Sequence, residues 1–586
     1  MSTKLEKVDA VVIGVGWTGG ILAKELTQAG LKVVGLERGR YRQTDPDFQP
    51  PHIHDELRYH VRYDLMQNLS RETLSFRNHQ EQTALPYRVL GSFLPGEGLG
   101  GAGVHWNGVC WRFLPYDFEI RSQTLARYGE RKIPDDMSLQ DWGLTYDELE
   151  PYFDQFEYTC GISGQAGNLQ GETVAEGNPF EGPRQRPYPT PPLTPSYANL
   201  RFRQATASLG YHPFMQPAAN LSEVYTNPDG ITQGACVYCG YCQRFGCESY
   251  AKPSALTTVL PVAMASGLFD LRTHCNVIRI NVNSSGNKAV SVTYIDAQGQ
   301  ECTQAADIIC LNSYVLNNCK LMLVSGIGKP YQPASGTGVV GKNYCYQAST
   351  GATVYFEDEI FNTFMGAGAL GVSLDDFNGD NFDHSNLDFI HGGNIANYST
   401  GAGPVRSRPV PPNTPKWGSA WKQNLAHYYN RSWSFSTQGS VMPYRSNYLD
   451  LDPTYKDVYG LPLLRMTFDW GPNELAMTEF MAQILEGIAK ELGADKYSIS
   501  KLTKHYSIVP YQSTHNTGGT IMGADPNSSV VNPFLQSWDV DNLFIVGAGN
   551  FPHNSGYNPT GTVGALAYRA ADAIVNNYLA QPGPLY

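Results

Sequence analysis

The chain is 586 residues long, with a formal net charge of -12, 16% charged residues and an abundance of Gly (59), Pro (38) and Tyr (36). That length supports two or more folding units, and the composition fits a compact, loop-rich protein rather than a disordered or coiled-coil one. The acidic balance without a long Lys/Arg run excludes a nucleic-acid partner, and no apolar run is long enough to span a bilayer.

Met1-Ser-Thr-Lys-Leu-Glu-Lys leads straight into a strand and shows no apolar signal-peptide core. Val8–Ile13 has the short apolar run of a buried parallel strand. Gly14-Val-Gly16-Trp17-Thr18-Gly19 follows, then a helix from Ile21 to Ala29, then a second strand Lys32–Leu36 ending at Glu37-Arg38. The order strand, GxGxxG, helix, strand, acid is that of a dinucleotide site. Gly14 allows the tight turn, Gly16 admits a pyrophosphate, Gly19 lets helix pack on strand, and Glu37 stands where an acid meets a ribose 2′-OH. The motif does not separate FAD from NAD.

A second glycine-rich stretch carries Gly98, Gly100, Gly101, Gly103, His105, Trp106, Asn107 and Gly108. It reads as backbone pressed against a flat ligand, with a surface loop as the alternative. From about 130 to 235 the chain is Pro- and Gly-rich and is expected to be an irregular insertion. Cys236-Val-Tyr-Cys239-Gly-Tyr-Cys242-Gln-Arg-Phe-Gly-Cys247 then places four of the 11 cysteines in one short loop. An iron–sulfur cluster suits such an all-thiolate run. Structural zinc lacks a second knuckle here, and cysteines two apart bridge poorly. Spacing alone does not set the nuclearity; if three of the four thiolates bind, the cluster is three-iron, the form expected ahead of four-iron.

Leu268–Val282, Lys288–Ile295 and Ala306–Leu311 read as strands. The Asn/Asp/Gly-rich region from about 345 to 510, with a helix at Asn473–Leu492, reads as a second domain. After 510 come Asn542–Gly547, a further strand and turn, and a closing helix from about Thr560 to Leu579. Two C-terminal blocks stand out: His515-Asn-Thr-Gly-Gly-Thr-Ile-Met-Gly, and Gly547-Ala-Gly549-Asn550-Phe-Pro-His553 running on to Asn558-Pro559-Thr560-Gly.

Together with the two glycine-rich motifs, these blocks resemble the glucose–methanol–choline (GMC) flavin oxidoreductases. The cysteine run, Arg465-Met-Thr-Phe-Asp-Trp470 and the Phe551-Pro segment are similar to the flavoprotein subunits of membrane-bound gluconate 2-dehydrogenases and their 2-ketogluconate, sorbitol and fructose relatives. The resemblance implies an α/β (α+β) fold, with a Rossmann-like FAD-binding domain (1–130, 235–345 and 511–586) and a discontinuous β-sheet substrate domain (131–234 and 346–510). It implies FAD, oxidation of a carbinol by hydride transfer to flavin N5, and His515 and Asn558 as the catalytic pair, with His553 the runner-up base. Pro559 and Thr560 open a helix aimed at the flavin, Val277 matches an adenine-contacting strand position, and Gly549 and Asn550 belong to the cofactor motif. His105 matches a position that in some relatives bonds FAD covalently; a histidine packed over the ring edge is the alternative.

The resemblance further implies D-gluconate oxidised to 2-keto-D-gluconate. Electrons would pass through the cluster at Cys236, Cys239, Cys242 and Cys247 to a cytochrome c subunit and quinone. It implies a small subunit whose signal exports this chain to the periplasmic face of the inner membrane, where it is peripheral, with no signal peptide or transmembrane helix of its own. A soluble oxidase of the same fold, a non-redox lyase and a zinc-binding module are the rival readings. For a substrate carboxylate, Arg406, Arg408 and Lys416 are available, and spacing singles out none.

Overall fold

The computed structural model describes residues 2–51, 54–401, 403–502 and 504–585. Strand β1 (Thr3–Ile13) buries Ala10–Ile13 completely or nearly so, as an apolar run in a parallel sheet should. The glycine turn feeds helix α1 (Trp17–Gln28), which starts four residues earlier than its periodicity suggests, and the chain returns as β2 (Val33–Leu36). The expected strand Leu268–Val282 is two strands, β3 (Phe269–Arg272) and β4 (Asn276–Val282). The break falls at His274, held at φ +56, whose N–H bonds back to Gly39. β5 (Ala289–Ile295) and β6 (Glu301–Leu311) follow, then helix α2 (Val315–Ser325), and β7 (Leu543–Ile545) arrives from the far end of the chain.

These strands make one seven-stranded sheet in the order β3-β2-β1-β6-β5-β4, with β7 pairing the end of β6. β3, β2, β1, β6 and β7 are parallel, and β4 and β5 are antiparallel additions at one edge. Register decides where a ligand can go. Leu36 pairs with Ile13, Ile13 with Leu311, and Leu311 with Ile545. Four parallel strands therefore end level, and the segments leaving them open a crevice at the carboxyl edge, the usual ligand site of such a sheet.

A second sheet of six strands is antiparallel throughout, built from 496–500, 348–355, 432–439, 393–398, 371–374 and 214–215. The helix Pro472–Glu491 packs on it, turning Met477, Met481, Leu485 and Ile488 inward. One continuous hydrophobic core runs through both sheets. A small satellite core of Phe48, Tyr59, Leu65, Met66, Leu94, Val104 and Phe245 lies under the cysteine loop. The segment expected to be an irregular insertion contains two helices, Tyr146–Cys160 and Tyr197–Ser208. Each is started by a capping box, Thr145 with Glu148 and Ser196 with Asn199, which overrides the proline-rich flanks. No helix among the described residues is long and apolar enough to cross a membrane.

Candidate active site

A cavity of about 380 Å³ opens at the carboxyl edge of the parallel strands. Gly14, Glu37, Asn312 and Val546-Gly547, the residues that leave β1, β2, β6 and β7, line it. The three motif glycines have distinct surroundings. Gly14 has φ +85, and a Cβ there would stand 2.8 Å from Asn312 O; a Cβ on Gly19 would stand 2.0 Å from Gly14 O; a Cβ on Gly16 would meet nothing nearer than Gly101 Cα at 3.7 Å. The first enforces the turn, the last lets α1 touch β1, and Gly16 faces open space across from the second glycine-rich stretch. Glu37 accepts from Val15 N at 3.0 Å and Gly39 N at 2.8 Å, so the acid also holds the glycine turn in shape. Arg38 pairs with Glu72 at 2.5 Å.

Of the expected cofactor residues, Gly14, Gly16, Trp17, Thr18, Glu37, Arg38, Gly98, Gly101, Gly103, His105, Trp106, Asn107, Val277, Asn558, Pro559 and Thr560 line this one cavity. Gly19, Gly100, Gly549 and Asn550 do not. Gly100, at φ +85, packs against Val104 and Leu256, and Gly549 packs against Thr520. Asn550 accepts from Gly547 N (2.9 Å) and donates to Thr520 O (3.0 Å), so it braces the loop whose Gly547 and Ala548 form the wall. Pro559 is the N-cap of helix α3 (Thr560–Asp572) and lies one residue outside the expected first turn. The positive end of α3 still faces the cavity through Pro559, Thr560 and Val563.

His515 and Asn558 lie together, with Asn558 Nδ2 3.4 Å from His515 Nε2. The other ring nitrogen, Nδ1, contacts Gln347 Oε1 closely. Gln347 Nε2 donates to Ser555 O and Tyr557 O, both at 3.3 Å. Those two carbonyls can only accept, so they fix the amide with its oxygen toward His515. Nδ1 therefore carries the proton, and Nε2 presents a lone pair to the cavity. Burial pushes the His515 pKa down to about 4, so the ring is neutral at ordinary pH. Gln347 carries no motif signal; it precedes the strand Ala348–Tyr355 and meets His515 only through the fold.

His553 is set apart from this pair. It is fully buried, takes a 3.4 Å contact from Trp142 Nε1 at Nδ1 and turns Nε2 to Asp117 at 3.4 Å, where His391 also binds at 2.7 Å. His105 lines the cavity, and burial pushes its pKa down to about 3, with Lys252 and Arg42 adding to the effect. His105 Nε2, Asn107 Oδ1, Asn558 Oδ1 and both amide atoms of Asn312 are buried on cavity-lining residues without a partner among the described residues. A crevice with an open glycine cradle at one end and such unpaired polar atoms along its wall fits FAD.

The cysteine loop packs directly on this wall. Arg244 N donates to His105 O at 2.8 Å, and the buried Lys252 ammonium donates to Trp106 O (2.8 Å), Cys242 O (2.7 Å) and Phe245 O (2.9 Å). Cys242 is buried and Cys236, Cys239 and Cys247 are partly so; burial raises the Cys236 and Cys239 thiols to about 12 and raises Cys247 too. No three of the four sulfurs lie within 4.8 Å of one another, and Cys239 instead has His54 and Glu248 within that range. A tetrahedral zinc thiolate would bring its sulfurs within about 4 Å of each other. Arg406, considered above for substrate, binds Gly401 O (2.7 Å) and Gly240 O (3.2 Å) beside this loop, and Arg408 and Lys416 are exposed away from the cavity.

A crevice shaped for a dinucleotide that also holds a neutral histidine beside an asparagine amide suits a dinucleotide-dependent oxidoreductase. The chain belongs to the GMC oxidoreductases: family models of that description match residues 139–348 and 443–567. It is an FAD-dependent dehydrogenase of that family. It is 46% identical to the gluconate 2-dehydrogenase flavoprotein of Pantoea cypripedii, over 100% of this chain and 96% of that one. Identity is 28% to the 2-methyl-1,2-propanediol dehydrogenase of Mycolicibacterium austroafricanum (99% and 97% covered) and 26% to the fructose dehydrogenase large subunit of Gluconobacter japonicus (98% and 99%). Among solved structures, pyridoxine 4-oxidase from Mesorbium loti shares the fold, with a TM-score of 0.58 at 16% identity over 97% of this chain and 99% of that one.

Proposed function

We propose that the protein oxidises a secondary alcohol of a sugar acid, with D-gluconate to 2-keto-D-gluconate as the leading reaction. The observation that carries this reading is the Gln347–His515–Asn558 arrangement inside a cavity whose flavoprotein relative, 46% identical end to end, is named for gluconate. His515 Nε2 takes the hydroxyl proton, and Asn558 Nδ2 donates to the same oxygen as it becomes a carbonyl. The positive end of α3 favours negative charge developing on that side of the cavity. FAD, when bound along Gly14–Gly16, Glu37, Gly101 and the Pro559–Thr560 helix start, supplies the acceptor for the hydride that leaves carbon. His105, on the cavity wall, is the proposed point of covalent attachment, with a ring packed over the flavin edge without a bond as the alternative.

The four cysteines are proposed to hold an iron–sulfur cluster, three-iron in the favoured form, that passes electrons singly to a cytochrome c subunit and quinone. What supports this is the C-x2-C-x2-C-x4-C spacing of an all-thiolate loop and the Lys252 ammonium, which binds the carbonyls of both Trp106 and Cys242 and so ties the cysteine loop to the wall of the cavity. Partner subunits follow from the relative named as a large subunit. A position on the periplasmic face of the inner membrane, reached with a small exporting subunit, belongs to the same proposal. So does the division into an FAD domain (1–130, 235–345, 511–586) and a substrate domain (131–234, 346–510).

The test is an anaerobic titration of purified protein with D-gluconate, following the visible flavin band, with iron and sulfide assayed on the same sample. Bleaching with iron and sulfide present is expected. Iron present without bleaching moves the substrate to 2-ketogluconate, sorbitol or fructose. Flavin without iron removes the cluster and favours an oxygen-using oxidase.

A further inference from the structure

The cavity has a polar wall that the His515–Asn558 pair does not use. Three Arg and Lys side chains line it. Two are neutralised by carboxylates: Arg38 by Glu72, and Lys320 by Glu72 and Asp457 at 2.6 and 2.7 Å. Arg244 makes no salt bridge among the described residues. It is 8% exposed, its Nε has no hydrogen-bond partner, and its guanidinium lies 4.8 Å from the Tyr511 ring centre and 5.5 Å from that of Tyr63. Its Nη1 is 3.1 Å from His60 Nδ1. Burial, with the Arg244 and Arg406 charges nearby outweighing a smaller opposing pull from Glu56, whose carboxylate is taken up by Val405 N and Arg406 N, pushes the His60 pKa down to about 4, so that ring accepts the hydrogen bond without cancelling the charge. The Arg244 backbone is held at φ +75, a region non-glycine residues seldom occupy and which clusters at functional sites.

A buried guanidinium without a counter-ion is costly, so something anionic belongs beside it. The flavin does not supply it: the oxidised ring system is uncharged, and the pyrophosphate belongs at the glycine turn. Tyr511 through His515 all line the cavity, so Arg244, stacked on Tyr511, shares a wall with the proposed base. On the same cavity Gln438 Oε1 and Gln512 Oε1 are buried without partners, which makes them acceptors for hydroxyl groups.

We propose that Arg244 is the anchor for the substrate's carboxylate, and that the cavity takes a polyhydroxy acid whose hydroxyls donate to Gln438 and Gln512. The assignment rests on the sugar-acid reading above. Arg suits the role because its fork matches a carboxylate in two parallel bonds.

The experiment compares wild type, R244M and R244K by anaerobic stopped-flow bleaching with D-gluconate and with neutral D-glucitol, and measures flavin, iron and the rate of electron delivery to an artificial acceptor. Expected for R244M is a rise of about 100-fold in half-saturating gluconate, with the limiting rate and any glucitol reactivity within about threefold. R244K, which keeps the charge without the fork, should rise about tenfold, and it serves alone if R244M does not fold. Unchanged half-saturation with slower electron delivery would place Arg244 in the service of the cysteine loop and overturn the proposal, leaving the sugar-acid reading intact. A wild type bleached only by neutral polyols, with R244M behaving alike, overturns both.

Discussion

Gln347 offers the sharpest test of the site, because its role follows from geometry alone. Gln347→Leu keeps the bulk but removes the acceptor that holds His515 Nδ1–H and the donor shared by Ser555 O and Tyr557 O. His515 can then rotate or present the wrong tautomer. A positioned base contributes about 10²–10⁴ in rate, and loss of the orienting carboxylate of a serine-protease histidine costs about 10⁴. A neutral amide orients less strongly than an ion, so a fall of about 10²–10³ in the limiting rate of flavin reduction is expected, or about 2.7–4 kcal/mol of barrier. Half-saturation should move little, since Gln347 acts through the base. The two carbonyls left without a donor should lower thermal stability, at about 1–3 kcal/mol for each that stays dry. Stopped-flow bleaching measures the rate and half-saturation, and a thermal melt with flavin content shows that the cofactor is still bound. A Gln347→Leu protein that bleaches at the wild-type rate would refute the tautomer argument and, with it, the orientation of His515.

The low His515 pKa has a sign. The base form is present above about pH 4, so the bleaching rate should be flat from neutral pH down to about 5 and fall as pH drops through about 4; a limb centred near 6.5 contradicts it. Gln347→Glu, which sets a carboxylate against Nδ1, should move that limb upward. His105→Ala should bind FAD but release it on acid denaturation while wild type retains it; flavin lost from both places His105 over the ring without a bond. Gly19→Ala puts a Cβ 2.0 Å from Gly14 O, a backbone atom that cannot step aside alone. FAD content should collapse and stability fall by about 1–3 kcal/mol, whereas a fully loaded, equally stable variant would show that the turn has slack. Cys239→Ser should leave bleaching intact, deplete iron and slow delivery of electrons to acceptor at least tenfold; full iron and unchanged delivery would take Cys239 out of the relay.

Which parts of this were legible depends on how far apart the interacting residues lie. The β1–turn–α1–β2 unit is decided within about thirty residues, where apolar period, glycine spacing and the terminal acid all act locally, and its outline could be read before any fold was in view. His515 and Asn558 are legible only as a matched pattern; what suits one to the proposed role of base and the other to that of donor is their 3.4 Å meeting and the Gln347 contact behind it, made from 168 residues away. Leu268–Val282 reads as one strand because alternation continues across Thr273–Cys275, and the break is imposed by His274 N and Cys275 N bonding to Gly39 O and Glu37 O, on a different part of the chain. The helix at Tyr146–Cys160 was the reverse case, a local signal, Thr145-x-x-Glu148, obscured by the prolines around it. Arg244 was hidden by its neighbours. Between Cys242 and Cys247 it reads as part of a metal loop, and what sets it apart is that, among the described residues, no carboxylate lies within ion-pair distance of its buried guanidinium. Local patterns report which backbone a segment can adopt; the charge state, tautomer and pairing that make a residue useful are settled by partners that sequence distance conceals.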